Sequence, residues 1–320
     1  MRGPQAAGGR WKLIVGFAMG FLCALIISPS WQGGAPGATT LLVQQREQTA
    51  APATVERPPL HIVTVCSAPN QHTLNAQRIA ESYRTKIEVQ LLKTGGIWRF
   101  APHLAWQEYC QNLTDAGRGD DLVMFLDAYD VVVAGKEEDI VDAYLATVQG
   151  SRTKTGDWPL LFSAEANCFP NETDGSSRAC NTTGWYATHR PTDTPYKYLN
   201  CGSFMGPAKL IAWLIKENRA RPDLDPNQID QGFFQEVLHD MGEYIVLDHD
   251  TKVFWAFYLR KEDMECHSGK GWFNNLTQTY PHIIHQNGGP KDMIYTHVFP
   301  SYLNALDNTL PAPACDTILH

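Results

Sequence analysis

The chain has 320 residues, with 26 Lys and Arg against 34 Asp and Glu, a net charge of −8 and no basic stripe. That balance excludes nucleic acid as a partner. Hydrophobic residues at 43% allow a substantial core, and the length suits one large domain or two small ones.

Leu13 to Ile27 is apolar apart from two glycines, Pro29 ends the run, and Arg2, Arg10 and Lys12 precede it with no acid among them. Positive charge ahead of an apolar run predicts a cytosolic N-terminus. The run is short beside the ~17–25 residues of a usual span, but a thin early-secretory bilayer accepts it. A cleaved signal peptide is the competing reading. Pro36 spoils the small-x-small site around Ala35, which favours an uncleaved anchor. Residues 30–59 are rich in Gly, Ala, Pro, Gln and Thr and read as a flexible stem. The expected layout is a cytosolic tail over 1–12, a signal anchor over 13–29, the stem over 30–59 and a lumenal domain over 60–320. This describes a single-pass type II protein of the Golgi or endoplasmic reticulum membrane.

Sequons at Asn112, Asn171, Asn181 and Asn275 agree with a lumenal domain. Cys23 lies in the apolar run. The other seven of the eight cysteines allow up to three disulfides with one thiol left over. Cys168 and Cys180 flank a polar loop and are the first pair expected.

The folded part begins near His61. Ile62–Cys66 reads as a short buried strand, Thr73–Tyr83 as a helix and Val89–Leu92 as a second strand. A helix over Pro102–Asn112, a strand over Leu122–Leu126, a helix over Glu137–Val148 and a strand over Leu160–Ser163 follow. This alternation predicts an α/β fold, a mainly parallel sheet with helices on both faces. Asn167–Leu199 is a long polar loop, a kind that is usually functional or disordered. A turn is expected at Gly202–Gly206, helices over Ala208–Asn218 and Gln228–His239, and strands over Tyr244–Leu247 and His282–His285. No internal repeat is present.

Several chemistries are excluded by inspection. None of the eleven histidines sits in His-x-Asp or His-x-Glu, and there is no His-Glu-x-x-His, Gly-x-Ser-x-Gly, Gly-x-Gly-x-x-Gly, P-loop or Cys-x-x-Cys. Arg118-Gly119-Asp120 is read as a polar turn into the next strand rather than an adhesion motif.

What remains is a series of polar residues at strand ends. The apolar run Leu122–Leu126 stops at Asp127-Ala128-Tyr129-Asp130. A strand end holds two carboxylates at a fixed spacing, and oxygen ligands suit a divalent cation carrying a nucleotide diphosphate. In α/β sheets ligands gather at the carboxyl ends of strands. For an isolated Asp-x-x-Asp, capping of a turn or helix is the plainer reading; the preceding run and the rest of the series decide for the metal. Ser163-Ala164-Glu165, Asn200-Cys201-Gly202-Ser203, Asp230-Gln231 and His285-Gln286-Asn287-Gly288-Gly289 continue it. His285 would add one nitrogen to an oxygen site, a donor set that suits manganese. Lys291 just beyond offers a point charge to a phosphate.

These blocks, together with Leu247-Asp248-His249 and in this order, resemble the N-terminal glycosyltransferase domain of the procollagen lysyl hydroxylase/glycosyltransferase family over about residues 60 to 300. The resemblance implies a Rossmann-like GT-A fold that uses Mn²⁺ and a UDP-sugar. It implies Asp127, Asp130 and His285 as metal ligands, Tyr129 stacked on uracil, and Asp230 near the transferred sugar. Asn200 and Gly202 would approach the donor sugar, where glycine permits close backbone contact, with Gly288 and Lys291 on the nucleotide side. Two features depart from the family pattern: Phe169 stands where tryptophan is common, and Ile229 stands in place of an aspartate run, with Asp223 and Asp225 further back. Both fall on the sugar and acceptor side. No dioxygenase domain is expected after the resembling region. The expected activity is transfer of a hexose, glucose or galactose, to a protein or glycan acceptor, with collagen-like hydroxylysine as one acceptor class. A catalytically silent binding protein on the same fold is the alternative.

Overall fold

A computed structural model describes residues 57–92, 101–170, 177–182, 184–224 and 229–315. The expected anchor and residues 30–56 of the expected stem lie outside these residues, as do Asn171 and Asp225. No helix among the described residues is long and apolar enough to cross a membrane.

The elements run β1 (Leu60–Cys66), α1 (Gln71–Ser82), β2 (Ile87–Leu91), α2 (Ala101–Asp115), β3 (Leu122–Leu126), β4 (Val131–Val133), α3 (Glu137–Thr147) and β5 (Leu160–Glu165). Then come α4 (Arg178–Asn181), α5 (Trp185–His189), β6 (Tyr198–Pro207), α6 (Ala208–Arg219), α7 (Asp230–Asp240), β7 (Ile245–Asp248) and β8 (Phe254–Ala256). The hairpin β9 (Met264–His267) and β10 (Gly271–Asn274), then β11 (Ile283–His285) and α8 (Phe299–Asp307), complete the described part. Local chemistry sets several ends. Asn70 caps α1 by accepting from the Thr73 N–H, and the Thr73 hydroxyl accepts from the Asn70 N–H in return. Three acids open α3, where the helix dipole favours negative charge.

The main sheet has the order β2-β1-β3-β6-β5-β7. Its β1–β2, β1–β3 and β5–β7 pairs are parallel, while β6 runs antiparallel between β3 and β5. The expected mainly parallel α/β sheet is therefore present with one reversed strand at its centre. All five residues of β3 are buried, as a central strand covered on both faces requires. Phe125, Phe204 and Phe162 line up across three strands. Trp106 of α2 packs 5.2 Å from Phe204, and Phe234 of α7 packs 4.9 Å from Phe162, ring centre to ring centre, so both helices cover that row. A smaller sheet, β4-β11-β8, stands beside the first.

The structure corrects two expectations. Gly202–Gly206 is not a turn: it lies within β6, whose ten residues are almost all buried between two strands. Gly206 is there because a Cβ would meet Leu160 Cδ2 at 2.4 Å. The Asn167–Leu199 stretch is not all loop, since it carries α4 and α5. Two disulfides form, Cys168–Cys180 as expected and Cys266–Cys315, while Cys66, Cys110 and Cys201 are buried thiols. Two pairs fall within the three that the seven cysteines allow, which leaves these three thiols. Arg118 of the Arg-Gly-Asp turn folds back onto Asp121 at 2.9 Å, as a polar turn would have it.

Candidate active site

Two strand registers assemble the site. β3 ends opposite Ser203 of β6, and the Asp127 N–H donates to the Gly202 carbonyl at 2.8 Å. Val131 of β4 pairs with His285 of β11, which brings the neighbouring Asp130 to the imidazole. His285 Nε2 lies 3.4 Å from Asp127 Oδ2 and 3.4 Å from Asp130 Oδ2. One potential ligand atom from each of the three residues falls within 4.8 Å of the others. Gly202 makes this approach possible, because a Cβ there would stand 2.3 Å from His285 Cε1 and 2.7 Å from Asp127 Oδ2.

The group fits a divalent cation. Both ring nitrogens of His285 are buried without a hydrogen-bond partner. A buried polar group left so is costly, and a cation between imidazole and carboxylates would satisfy it. Two carboxylate oxygens and one imidazole nitrogen suit a metal such as manganese. Burial would raise the Asp130 carboxyl, but the adjacent His285 and Lys291 cations outweigh burial and hold it below its ordinary range. Burial would lower His285, but the two carboxylates outweigh it and hold the imidazole above its ordinary value.

These residues open into a cavity of about 590 Å³. Tyr129, half-buried, walls one side and donates its hydroxyl to the Ala68 carbonyl at 3.0 Å. Asp230, first residue of α7, lies on another side and accepts from its neighbour's N–H at 2.8 Å. Burial, and then the negative charge of Asp127, push Asp230 up to about 6. Gly288 adopts φ +64° with Tyr258 Cδ1 only 2.9 Å from where a Cβ would be, so glycine is required there on two counts. Lys291 reaches the same cavity but pairs with Asp130 Oδ2. The nine residues given a site role from the sequence thus line one cavity, whereas Ser163, Asp248 and Gln286 of the same blocks do not.

Glu165 has a role that the sequence did not announce. It is 3% exposed, and its carboxylate accepts from Asn200 Nδ2 at 3.2 Å, Gln231 Nε2 at 2.6 Å and Asn287 Nδ2. Three strand-end or helix-start blocks therefore converge on one acid. Burial pushes Glu165 up to about 7 despite those donors. Its only sequence signal was a charged residue ending an apolar strand. Asn200 accordingly lines the cavity from within β6, not from a turn. Phe169 lines it too, and its carbonyl accepts from Gln231 and Gln235, both at 2.8 Å.

Asp248 reads as structural. It is fully buried, and it accepts backbone N–H groups of Lys252, Val253 and Phe254 at 3.0, 2.7 and 2.8 Å. It thereby fixes the turn that delivers β8 to β11 and His285.

The profile of the family described as PLOD GT domain matches residues 56–311. The chain is 26% identical over 249 residues to the human multifunctional procollagen lysine hydroxylase and glycosyltransferase LH3, covering 72% of this chain and 30% of that one. It is 30% identical over 177 residues to the uncharacterized protein R699 of Acanthamoeba polyphaga mimivirus, covering 55% and 33%. The chain thus spans about a third of these relatives' length. A solved glycosyltransferase involved in glycosylation of the major capsid of PBCV-1 aligns with a TM-score of 0.42 at 10% identity, over 75% of this chain and 98% of that one. WbbM, a bifunctional glycosyltransferase, aligns with a TM-score of 0.40 at 12% identity, over 84% and 52%. With the family profile running from the first strand to beyond the last helix, the chain belongs to the PLOD GT domain family.

Proposed function

We propose that the protein is a Mn²⁺-dependent glycosyltransferase of the secretory pathway that moves a hexose, glucose or galactose, from a UDP-sugar to a protein- or glycan-linked acceptor. The observation that carries this reading is the Asp127–Asp130–His285 group facing a cavity, with the imidazole Nε2 3.4 Å from both carboxylates. A bound Mn²⁺ would supply charge neutralisation for the diphosphate and for the departing UDP.

The chain's own residues have the following roles in this reading. Asp127, Asp130 and His285 hold the metal. Tyr129 offers its ring to the uracil. Asn200, fixed by Glu165, and the bare backbone of Gly202 approach the donor sugar. Gly288 brings its backbone to the diphosphate, and Lys291 offers it a positive charge. Asp230 orients sugar hydroxyls or takes the acceptor's hydroxyl proton; a carboxyl raised to about 6 is mostly ionised at neutral pH and more basic than an ordinary aspartate.

The printed name of the human relative joins procollagen lysine hydroxylation to glycosyl transfer, which supports collagen-like hydroxylysine as an acceptor class. Phe169, which lines the cavity, and Ile229 depart from the family pattern and would alter donor or acceptor choice. The two disulfides, and exposed sequon residues Asn112 and Asn275, support a lumenal domain. The anchor over 13–29 would hold it at the Golgi or endoplasmic reticulum membrane.

The test is UDP release from a panel of UDP-sugars, with and without Mn²⁺, for the native protein and Asp127→Ala. Release from one sugar that needs Mn²⁺ and disappears in the variant is expected. Full activity in Asp127→Ala would sink the metal assignment. Tight UDP–Mn²⁺ binding with no turnover on any donor or acceptor would instead favour a catalytically silent binding protein.

A further inference from the structure

Lys291 is placed oddly for a residue that only meets phosphate. Its ammonium pairs with Asp130 Oδ2, the same oxygen that lies 3.4 Å from His285 Nε2, and it also donates to the Gln286 carbonyl. It therefore occupies a ligand atom of the metal group.

The main chain carrying Lys291 is fastened on both sides. Gln286, completely buried, donates from Nε2 to the Pro290 carbonyl at 2.6 Å and to Asp292 Oδ1 at 2.9 Å. Its Oε1 accepts from the Ile294 N–H at 2.7 Å. Only the lysine side chain is left to move. A divalent cation on Asp130 Oδ2 would face the ammonium at contact range, and like charges that close repel strongly in a partly buried site. Lys291 must then leave Asp130. Its nearest alternative acid in sequence, Asp292, is already paired with Lys261 at 2.7 Å. Glu165 is taken up by three amides, and Asp127 belongs to the metal group. The open direction is the cavity, where an anion arriving with the donor would be the new partner.

We propose that Lys291 is an internal counter-ion of the metal group, holding Asp130 until a cation displaces it and then passing to the nucleotide diphosphate, so that metal and nucleotide bind cooperatively. This rests on the function proposed above and adds a binding order to it. Because coupling is reciprocal, each ligand strengthens the other by the same factor.

The test is Mn²⁺ binding to the full chain, followed by the electron paramagnetic resonance signal of free Mn²⁺, with and without UDP. Native protein is compared with Lys291→Met and Lys291→Gln, each checked for an unchanged melting curve. In the native protein UDP should tighten Mn²⁺ by about tenfold or more. Both variants should bind Mn²⁺ alone about tenfold more tightly than the native chain, with the UDP effect reduced to a few-fold. Variants that bind Mn²⁺ alone no more tightly overturn the proposal, as does equal tightening with and without UDP, which would be a mere charge effect. In those cases native binding of Mn²⁺ and UDP leaves the proposed function standing. A native protein that binds neither overturns both.

Discussion

Gly202 of β6 lies so close to His285 of β11 that an added methyl would stand 2.3 Å from the imidazole Cε1. The same methyl would stand 2.7 Å from Asp127 Oδ2, so this α-carbon separates two members of the candidate metal-binding group. Gly202→Ala should therefore displace His285 or Asp127 by a sizeable fraction of an ångström. We expect metal-dependent UDP release to fall about 100-fold, since misplacement on this scale costs about that much. The melting temperature should drop by only a few degrees. A variant with near-native turnover would show that the two residues need not be in register.

Glu165→Gln should be far from neutral although the shapes match. Asn200 and Gln231 donate to one carboxylate oxygen and Asn287 to the other. A glutamine would point an NH₂ group at one of those donors. The expected cost is about 1–3 kcal/mol in urea unfolding for the donor left unpaired, together with a raised KM for the donor sugar. Unchanged stability and KM would mean that the three amides find other partners.

Asp248→Ala tests the supporting turn. Three backbone N–H groups, two of them buried, would lose their acceptor, at about 3 kcal/mol by the usual penalty for buried unpaired donors. Since this turn places β8 beside β11, Mn²⁺ affinity should fall as well. A variant as stable as the native protein in urea would assign the turn's order to other contacts.

Asp230 links function to pH. The folded protein raises this carboxyl to about 6, by burial and then by the charge of Asp127. The fold thus holds the proton more tightly than the unfolded chain does. The stability gained this way is complete below the ordinary aspartate value of about 4 and is lost as pH rises through about 6. Asp230→Asn removes the charged form. The variant should match the native protein near pH 4 and exceed it near pH 8 by on the order of 1 kcal/mol, a figure reduced for partial exposure. Transfer should fall about 100-fold or more. An equal stability difference at both pH values would show that the ionised carboxylate carries no such penalty.

Most of the site was legible in the sequence because strand ends are. Asp127 and Asp130 follow five apolar residues, and His285 follows Ile283 and Ile284, so each could be placed at the end of a buried strand before any fold was drawn. The reversed strand β6 was not legible. Asn200-Cys201-Gly202-Ser203 carries Gly and Asn, the residues of turns, yet here glycine is present for close packing between strands and not for a bend. Glu165 escaped because its partners lie 35, 66 and 122 residues away, and no local pattern encodes a distant amide.

What the sequence determined by itself is therefore the alternation of elements, the Cys168–Cys180 pair and the chemical types gathered at the strand ends. These depend on hydrophobic period, local spacing and side-chain identity, all readable along the chain. Only the tertiary structure decided that β4 pairs with β11, that Gly202 lets His285 meet Asp127, and that Lys291 rests on Asp130. Those are relations between segments far apart in the chain, and strand register combined with close packing, not local propensity, selects them.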